Sequence, residues 1–266
     1  MLSDRNQPEK KITLDDYLQR VLPQPRIQKG REMLALHASA LGPLSRQTGV
    51  PASIIIALWG MESSFSKIQG REDVISALAT LAFEGRREAF FRQELFAALK
   101  IVDGGHIELD KLKGSWAGAM GQTQFMPSSY LKYAVDGDED GKADIWASLP
   151  DVFASTANYL HTEGWQPGIG WGREVKLPAG FPLESAGLKD SQARTAHQWK
   201  VRGVTQPDGT PLKEIDNPTW IIIPDDLQGR AFMVNANFRT LMHWNRSLYF
   251  ALSIGLMSDE ITSLSL

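Results

Sequence analysis

Cysteine is absent from the 266-residue sequence, which excludes disulfides, thiol catalysis and thiolate metal sites. Long hydrophobic runs are missing as well, because the most apolar stretch, residues 53–61, is about half as long as a membrane span. An excess of basic charge is also lacking: the net charge is −3 and the pI is about 6.0. We therefore expect neither a nucleic-acid partner nor a membrane-spanning segment.

The first residues lack the apolar core of a signal peptide. Residues 1–12 are mostly polar, and we predict that they form a flexible lead-in to the fold. Either the protein stays inside the cell or a leader has been removed, and both remain open. The hydrophobic fraction of 42% is ordinary for a soluble chain, and the length suits one large domain or a main domain with a smaller one.

Hydrophobic periodicity predicts a mainly α fold of the α+β class. Helices are expected at 51–65, 74–83, 87–102, 150–162 and 238–255, and short strands at 173–177, 219–223 and 230–234. We predict three parts: a helical core at 13–171 with a cleft formed by 50–165, a small β-rich subdomain at 172–235, and C-terminal helices at 236–266 that return to the core.

Glu62 is the first candidate for chemistry. It lies near the C-terminal end of the most apolar predicted helix and shares one helical face with Ile55 and Trp59. A carboxyl group against apolar side chains is expected to have a raised pKa, as a general acid near neutral pH requires. The alternative, a glutamate at a frayed helix end that points to water, is equally compatible with the helix alone.

A second candidate element is the segment from Gly114 to Tyr130, which combines small residues with Met, Phe and Gln. Small residues expose backbone groups, while Met120 and Phe125 offer apolar walls and the glutamines offer amide groups, a mixture that suits a sugar ring. A tight loop packed on the core would have the same composition. The segment lacks the Gly-x-Ser-x-Gly pattern of serine hydrolases.

Together these motifs resemble the membrane-bound lytic transglycosylase B family. The resemblance rests on residues 59–65, 118–130, 157–160 and 234–238, and it runs from about Arg26 to Trp171 and again to Tyr249. It implies a lysozyme-like helical core that cleaves the glycan strands of peptidoglycan in the bacterial envelope. A periplasmic location with a removed leader follows from it, as does a soluble form, because the lipid-anchored cysteine of some members is missing.

Residue roles follow from the same resemblance. Glu62 is expected to be the catalytic acid/base, and Ser115 and Gln124 are expected to hold the reacting sugar or its N-acetyl group. Tyr159 is expected to lie close to Glu62. Where the family pattern has tyrosines near the C-terminus, this chain has Trp244 and Phe250, which preserve stacking on a sugar but not a hydroxyl.

The implied reaction needs one carboxyl group. Glu62 protonates the glycosidic oxygen and then removes the C6 hydroxyl proton of muramic acid, which closes a 1,6-anhydro ring, whereas two-carboxylate hydrolases need a second acid. No cofactor is required. A lysozyme-type muramidase and a catalytically silent peptidoglycan-binding module remain as alternatives. We expect a monomer, since long glycan strands need an open groove.

An Asp-rich segment predicts a cation site. Asp136, Asp138 and Asp140, followed by Gly141, match the start of an EF-hand calcium loop, in which Lys142 would contribute its carbonyl oxygen. The twelfth position is Ala147 rather than Glu, so Asp151 would have to supply the last carboxylate. The alternative is an Asp-rich surface turn. With one such loop, a calcium-sensing protein ranks behind the enzyme.

Overall fold

The computed structural model describes residues 12–213 and 216–263. These residues are mainly helical with small antiparallel sheets, as the sequence predicts. Most of the predicted lead-in, residues 1–11, lies outside the described residues, as do the last three residues of the predicted C-terminal part. None of the described helices is long and apolar enough to cross a membrane.

The chain divides into two compact units. The mixed unit contains the chain up to Pro25 and Glu163–Glu260, and the helical unit contains Arg26–Thr162 and the chain from Ile261 on. The predicted three-part division at 171 and 235 has different boundaries and stays a prediction.

The helical unit is built from seven helices in the described residues, with a two-stranded sheet between them. The helices are α2 (Gln24–Leu36), α3 (Ala38–Thr48), α4 (Ala52–Ser63), α5 (Val74–Glu84), α6 (Glu88–Asp103), α7 (Pro127–Tyr133) and α8 (Leu149–Thr162). Strand β1 (Glu72–Asp73) pairs antiparallel with β2 (Lys113–Gly114). Helix α4 packs against α3 and α8, and it is the most completely buried of the seven because nine of its twelve residues are buried.

The mixed unit holds a three-stranded antiparallel sheet. Strands β3 (Gly172–Val175), β5 (Ala231–Val234) and β4 (Trp220–Ile222) are adjacent in that order. The helices of this unit are α1 (Leu14–Val21), α9 (Ala196–Val201), α10 (Ala236–Trp244) and most of α11 (Leu248–Thr262). Trp199 is wholly buried in a hydrophobic cluster that includes residues of all three strands.

One predicted helix is wrong. The sequence predicts a continuous helix over 238–255, but the structure has α10 and α11 separated at Asn245–Ser247. The Asn245 side chain accepts the backbone N–H of Ser247, and the Ser247 hydroxyl accepts the N–H of Phe250. These side chains replace helical backbone hydrogen bonds, so that α10 ends before Asn245 and α11 begins after Ser247.

Candidate functional site

Glu62 lies in the last turn of α4. The helix before it is buried, with Ile55 wholly inaccessible and Trp59 nearly so, while the glutamate itself is partly exposed. The indole ring of Trp59 is contacted edge-on by Phe65 and Phe153, with ring centroids 5.3 Å away in each case. Glu62 is therefore a partly exposed residue at the end of an otherwise buried, apolar helix.

An unusual turn follows Glu62. Ser64, Phe65 and Ser66 have φ angles of 50°, 58° and 71°, although left-handed backbone costs a non-glycine residue about 1–2 kcal/mol. The Ser63 hydroxyl accepts the N–H of Ser66, and Arg26 donates to the Ser64 hydroxyl. Strained backbone that is held in place by such contacts is typical of functional sites.

The segment 114–127, which we call the substrate loop, closes on itself. Met120 and Phe125 exchange backbone hydrogen bonds of 2.8 and 3.0 Å, and Ser115 N–H donates to the carbonyl of Ala119. A methyl group on Gly114 would lie 2.2 Å from that carbonyl oxygen. The loop needs glycine there because two backbone strands approach each other more closely than any side chain allows.

Two polar side chains of this loop have part of their hydrogen-bonding capacity in use. The Ser115 hydroxyl oxygen accepts the N–H groups of Ala117 and Ala119, which leaves the hydroxyl proton to donate. The Gln124 amide nitrogen donates to the carbonyls of Gln69 and Gly121 at 3.1 and 2.8 Å, so its amide oxygen is the atom left to accept. The pair combines one donor and one acceptor.

Three further residues of the predicted site, Met120, Phe125 and Tyr159, are buried within the substrate loop or beside it. The Tyr159 ring lies 4.3 Å from that of Tyr133 and 5.8 Å from that of Phe125, so the structure brings α7, α8 and the substrate loop together at Tyr159. Met120 is fully buried and Phe125 is only 3% exposed. Direct substrate contact by these two does not fit this burial, and their observed role is packing beneath the loop.

Trp244 and Phe250 belong to the mixed unit, where Trp244 is partly exposed and Phe250 is buried. Burial leaves Phe250 little surface on which a sugar could stack. A stacking role for either residue therefore stays a prediction, and Trp244 is the more accessible of the two.

The Asp-rich segment 136–151, which we call the acidic loop, brings three predicted metal ligands together. Carboxylate oxygens of Asp136, Asp138 and Asp151 lie within 4.8 Å of one another. Asp140 is exposed, and its carboxylate accepts the N–H of Lys142; neither of these two belongs to the group of three.

Asp151 organises the acidic loop. Its side chain is inaccessible to solvent and accepts the N–H groups of Gly137, Asp138 and Asp144 at 2.7, 3.3 and 2.6 Å. Burial raises the pKa of Asp151, and the nearby charge of Asp138 raises it further. A divalent cation with hard-oxygen preference fits this donor set, because it would offset the buried charge and the repulsion.

Three residues in or next to the substrate loop were not singled out from the sequence. Gln122, Gln69 and Trp146 form a partly buried hydrogen-bond network: the Gln122 amide accepts from Trp59 and donates to the Trp146 carbonyl, to which the Gln69 amide also donates. Glutamine has no periodic or spacing signature, and a carbonyl acceptor is independent of residue type. The composition of the loop was the only available signal.

Comparison with known proteins gives consistent matches. A family model for the transglycosylase SLT domain matches residues 1–259. Membrane-bound lytic murein transglycosylase B of Escherichia coli K12 is 31% identical over 262 residues, which cover 92% of this chain and 66% of that protein. The chain thus spans just under two thirds of that relative's length.

Solved structures match over nearly the whole chain. SltB3 from Pseudomonas aeruginosa in complex with NAG-anhNAM-pentapeptide is 42% identical with a TM-score of 0.92, and the match covers 98% of this chain and 70% of that one. Escherichia coli Slt35 in complex with calcium is 29% identical with a TM-score of 0.83, and the match covers 98% and 81%.

Proposed function

Because the chain belongs to the transglycosylase SLT domain family, we propose that it is a lytic murein transglycosylase. It cleaves the β-1,4 bond between N-acetylmuramic acid and N-acetylglucosamine and leaves a 1,6-anhydromuramoyl end. The observation that carries the proposal is the single carboxyl group: Glu62 stands at the accessible end of α4, and neither that helix nor the substrate loop contains another acid.

The reaction runs through Glu62 in two proton transfers. The protonated carboxyl group donates to the glycosidic oxygen as the bond to C1 breaks, and the departing sugar leaves as an alcohol. The carboxylate then takes the proton of the muramic acid C6 hydroxyl, whose oxygen attacks C1 and closes the anhydro ring. No water is consumed, and Glu62 regains its starting proton, so one acid/base is sufficient.

The substrate loop supplies orientation. An N-acetyl group has one carbonyl acceptor and one N–H donor, which complement the Ser115 hydroxyl proton and the Gln124 amide oxygen. Because both side chains are already held by backbone hydrogen bonds, they lose little freedom when the sugar binds. Tyr159, whose ring contacts those of Tyr133 and Phe125, is proposed to help orient Glu62 or the reacting sugar.

The test is release of soluble material from purified sacculi. Glu62→Gln keeps the shape of the side chain but removes its titratable proton, and we expect a loss of about 10²–10⁴-fold in rate. Glu84→Gln is the matched control, since Glu84 also ends an apolar helix that is followed by a left-handed residue. Equal activity of both variants would remove Glu62 from the mechanism.

The acidic loop is proposed to bind one structural Ca²⁺. Its three converging carboxylates support this, and the related Slt35 has been solved in complex with calcium. Asp136, Asp138 and Asp151 would hold the ion, with Asp140 and the Lys142 carbonyl as further candidates. The ion would stabilise the fold by offsetting the carboxylate charges and would take no part in the chemistry.

Thermal unfolding tests the ion site. Calcium at about 100 times its Kd is expected to stabilise the protein by about 2.7 kcal/mol, and EDTA is expected to reverse the rise in Tm. Asp136→Asn should abolish this response, while Asp110→Asn, at an exposed site outside the loop, should keep it. The same calcium response in both variants would contradict the site.

The remaining expectations concern location and assembly. Because the substrate is murein, we place the protein in the bacterial cell envelope, in the periplasm, where it acts on glycan strands as a monomer. A stable dimer in gel filtration with light scattering would overturn the monomer.

A further inference from the structure

Gln122 is a buried amide with both ends in use. It is only 3% exposed. Its amide oxygen accepts the indole N–H of Trp59 at 2.8 Å, and its amide nitrogen donates to the carbonyl of Trp146 at 3.0 Å. Its own backbone N–H donates to Ile145 at 2.9 Å. A substrate has no access to such a group, so its contribution is to hold other parts of the protein.

One end of the Gln122 amide fixes the helix that carries Glu62. Trp59 precedes Glu62 by three residues in α4, so the two side chains lie on the same side of the helix. The hydrogen bond from Trp59 to Gln122 therefore limits rotation and sliding of the last turn of α4 relative to the substrate loop. The edge-on contacts of Phe65 and Phe153 restrain the same indole ring.

The other end of the Gln122 amide is connected to Gln124 through Trp146 and Gln69. The Trp146 carbonyl that accepts from Gln122 also accepts from the Gln69 amide at 3.1 Å. The backbone carbonyl of Gln69 in turn accepts from the Gln124 amide at 3.1 Å. A continuous set of hydrogen bonds thus runs from the Glu62 helix to the side chain proposed to hold the N-acetyl group.

The partners of the Gln122 amide fix its orientation. An amide has one accepting and one donating end, and its surroundings here are an indole donor and a carbonyl acceptor, so a single orientation satisfies both. The two hydrogen bonds of the buried Gln122 amide therefore specify one arrangement, whereas reversing the amide would place like dipoles together.

We propose that Gln122 is a positioning residue of the active site, which sets the distance between the Glu62 carboxyl group and the Gln124 amide. The proposal rests on the proposed function, because Glu62 and Gln124 have their roles from it. Gln122 touches neither the substrate nor the reacting atoms, and it acts through Trp59 and the Trp146 carbonyl.

Gln122→Glu is the sharpest variant, because it is isosteric. In its ionised form the introduced carboxylate still accepts from Trp59, but it faces the Trp146 carbonyl without a proton to donate. We expect kcat on soluble glycan fragments to fall by about tenfold to a hundredfold, as a small misplacement of catalytic groups does, with a smaller change in KM. Thr48→Val is the matched control, since it also removes side-chain hydrogen bonds of a buried residue, but ones that do not belong to this network.

Acidic pH should rescue this variant. Protonation of the introduced carboxyl group restores a donor toward the Trp146 carbonyl, so the ratio of variant to wild-type kcat rises as the pH falls. A purely structural role would change Tm and the folded fraction but would not give this pH-dependent ratio. Gln122→Met has no such proton and should show no rescue.

Trp59→Phe provides the second line of test if Gln122→Glu does not fold, because it removes the N–H from the other partner. It should lower kcat while the folded fraction, measured by circular dichroism, stays high. Wild-type kcat in folded Trp59→Phe, or a pH-independent ratio for Gln122→Glu, overturns the proposal. Wild-type protein is assayed alongside: if it releases no product, the proposed function fails, whereas active wild type with fully active variants refutes the positioning role alone.

Discussion

The substrate loop and the acidic loop lie in the same unit and reach order by opposite means. The substrate loop, 114–127, contains no charged side chain, and it closes through its own backbone and through neutral amides. The acidic loop, 136–151, contains six carboxyl groups and one lysine, and its backbone N–H groups are bound by carboxylates. Only the second loop concentrates like charge, so only the second is expected to depend on a cation.

The two loops therefore contribute differently: the substrate loop to the geometry of the candidate site, and the acidic loop to the stability of the fold around it. Neutral hydrogen bonds hold the substrate loop and do not depend on the ionic conditions, which suits its proposed role in orienting a sugar. The acidic loop contacts the substrate loop through Ile145 and Trp146, whose backbone carbonyl groups accept hydrogen bonds from Gln122. A cation would thus support the site from outside, without a place in the reaction.

The largest expected effect contrasts a glycine in each loop. Gly114→Ala places a methyl group 2.2 Å from the Ala119 carbonyl oxygen, and we expect a loss of roughly 3 kcal/mol in the free energy of unfolding, with loss of activity. Gly141→Ala meets no atom within 4 Å but has a φ of +95°, so it should cost about 1 kcal/mol. Denaturant unfolding measures both, and equal losses would contradict the comparison.

The next effect lies within the acidic loop. Asp151→Ala leaves three backbone N–H groups without their acceptor, and in EDTA we expect about 2 kcal/mol of destabilisation. Asp138→Ala is the matched control, because Asp138 is exposed and its removal relieves repulsion. If Asp138→Ala is the more damaging in EDTA, Asp151 does not organise the loop.

The smallest expected effect concerns Tyr130, which follows the substrate loop in the sequence and is hydrogen-bonded to the acidic loop. The Tyr130 hydroxyl donates to the Ala143 carbonyl at 2.7 Å, so Tyr130→Phe should cost about 1 kcal/mol. Burial, followed by the charges of Asp144 and Asp151, raises the pKa of Tyr130 above its ordinary value.

That raised pKa fixes the sign of a pH dependence. The stabilisation by the neutral hydroxyl is complete below about pH 10, the pKa of an unfolded tyrosine, and it declines as the pH rises further, because the unfolded state ionises first. The difference between wild type and Tyr130→Phe in unfolding free energy should therefore be constant below about pH 9 and shrink as the pH rises above about 10. A constant difference would mean that the phenol is not restrained as described.

Much of the fold is predictable from the sequence because it depends on periodic burial. The helix around residues 52–63 and the strands near 173, 220 and 231 follow from apolar spacing, and the family resemblance is confirmed by the matched family model and by the relatives. The break between α10 and α11 was missed because it depends on side chains of Asn245 and Ser247 that bind the backbone.

The site is predictable only in its residue types. A carboxyl group at the end of an apolar helix and a loop rich in glycine and glutamine are visible in the sequence. The burial of Met120 and the network around Gln122 are not, because each depends on which atoms tertiary packing brings within hydrogen-bonding distance. Left-handed backbone at Ser64–Ser66 and Gln124 is likewise imposed by the folded surroundings.

Mass spectrometry of the products released from purified sacculi tests the central claim most directly. If Glu62 acts alone, wild-type protein releases fragments that end in 1,6-anhydromuramic acid, and Glu62→Gln does not. Products with reducing ends would contradict the account, because water would then be the acceptor and a second carboxyl group would be required.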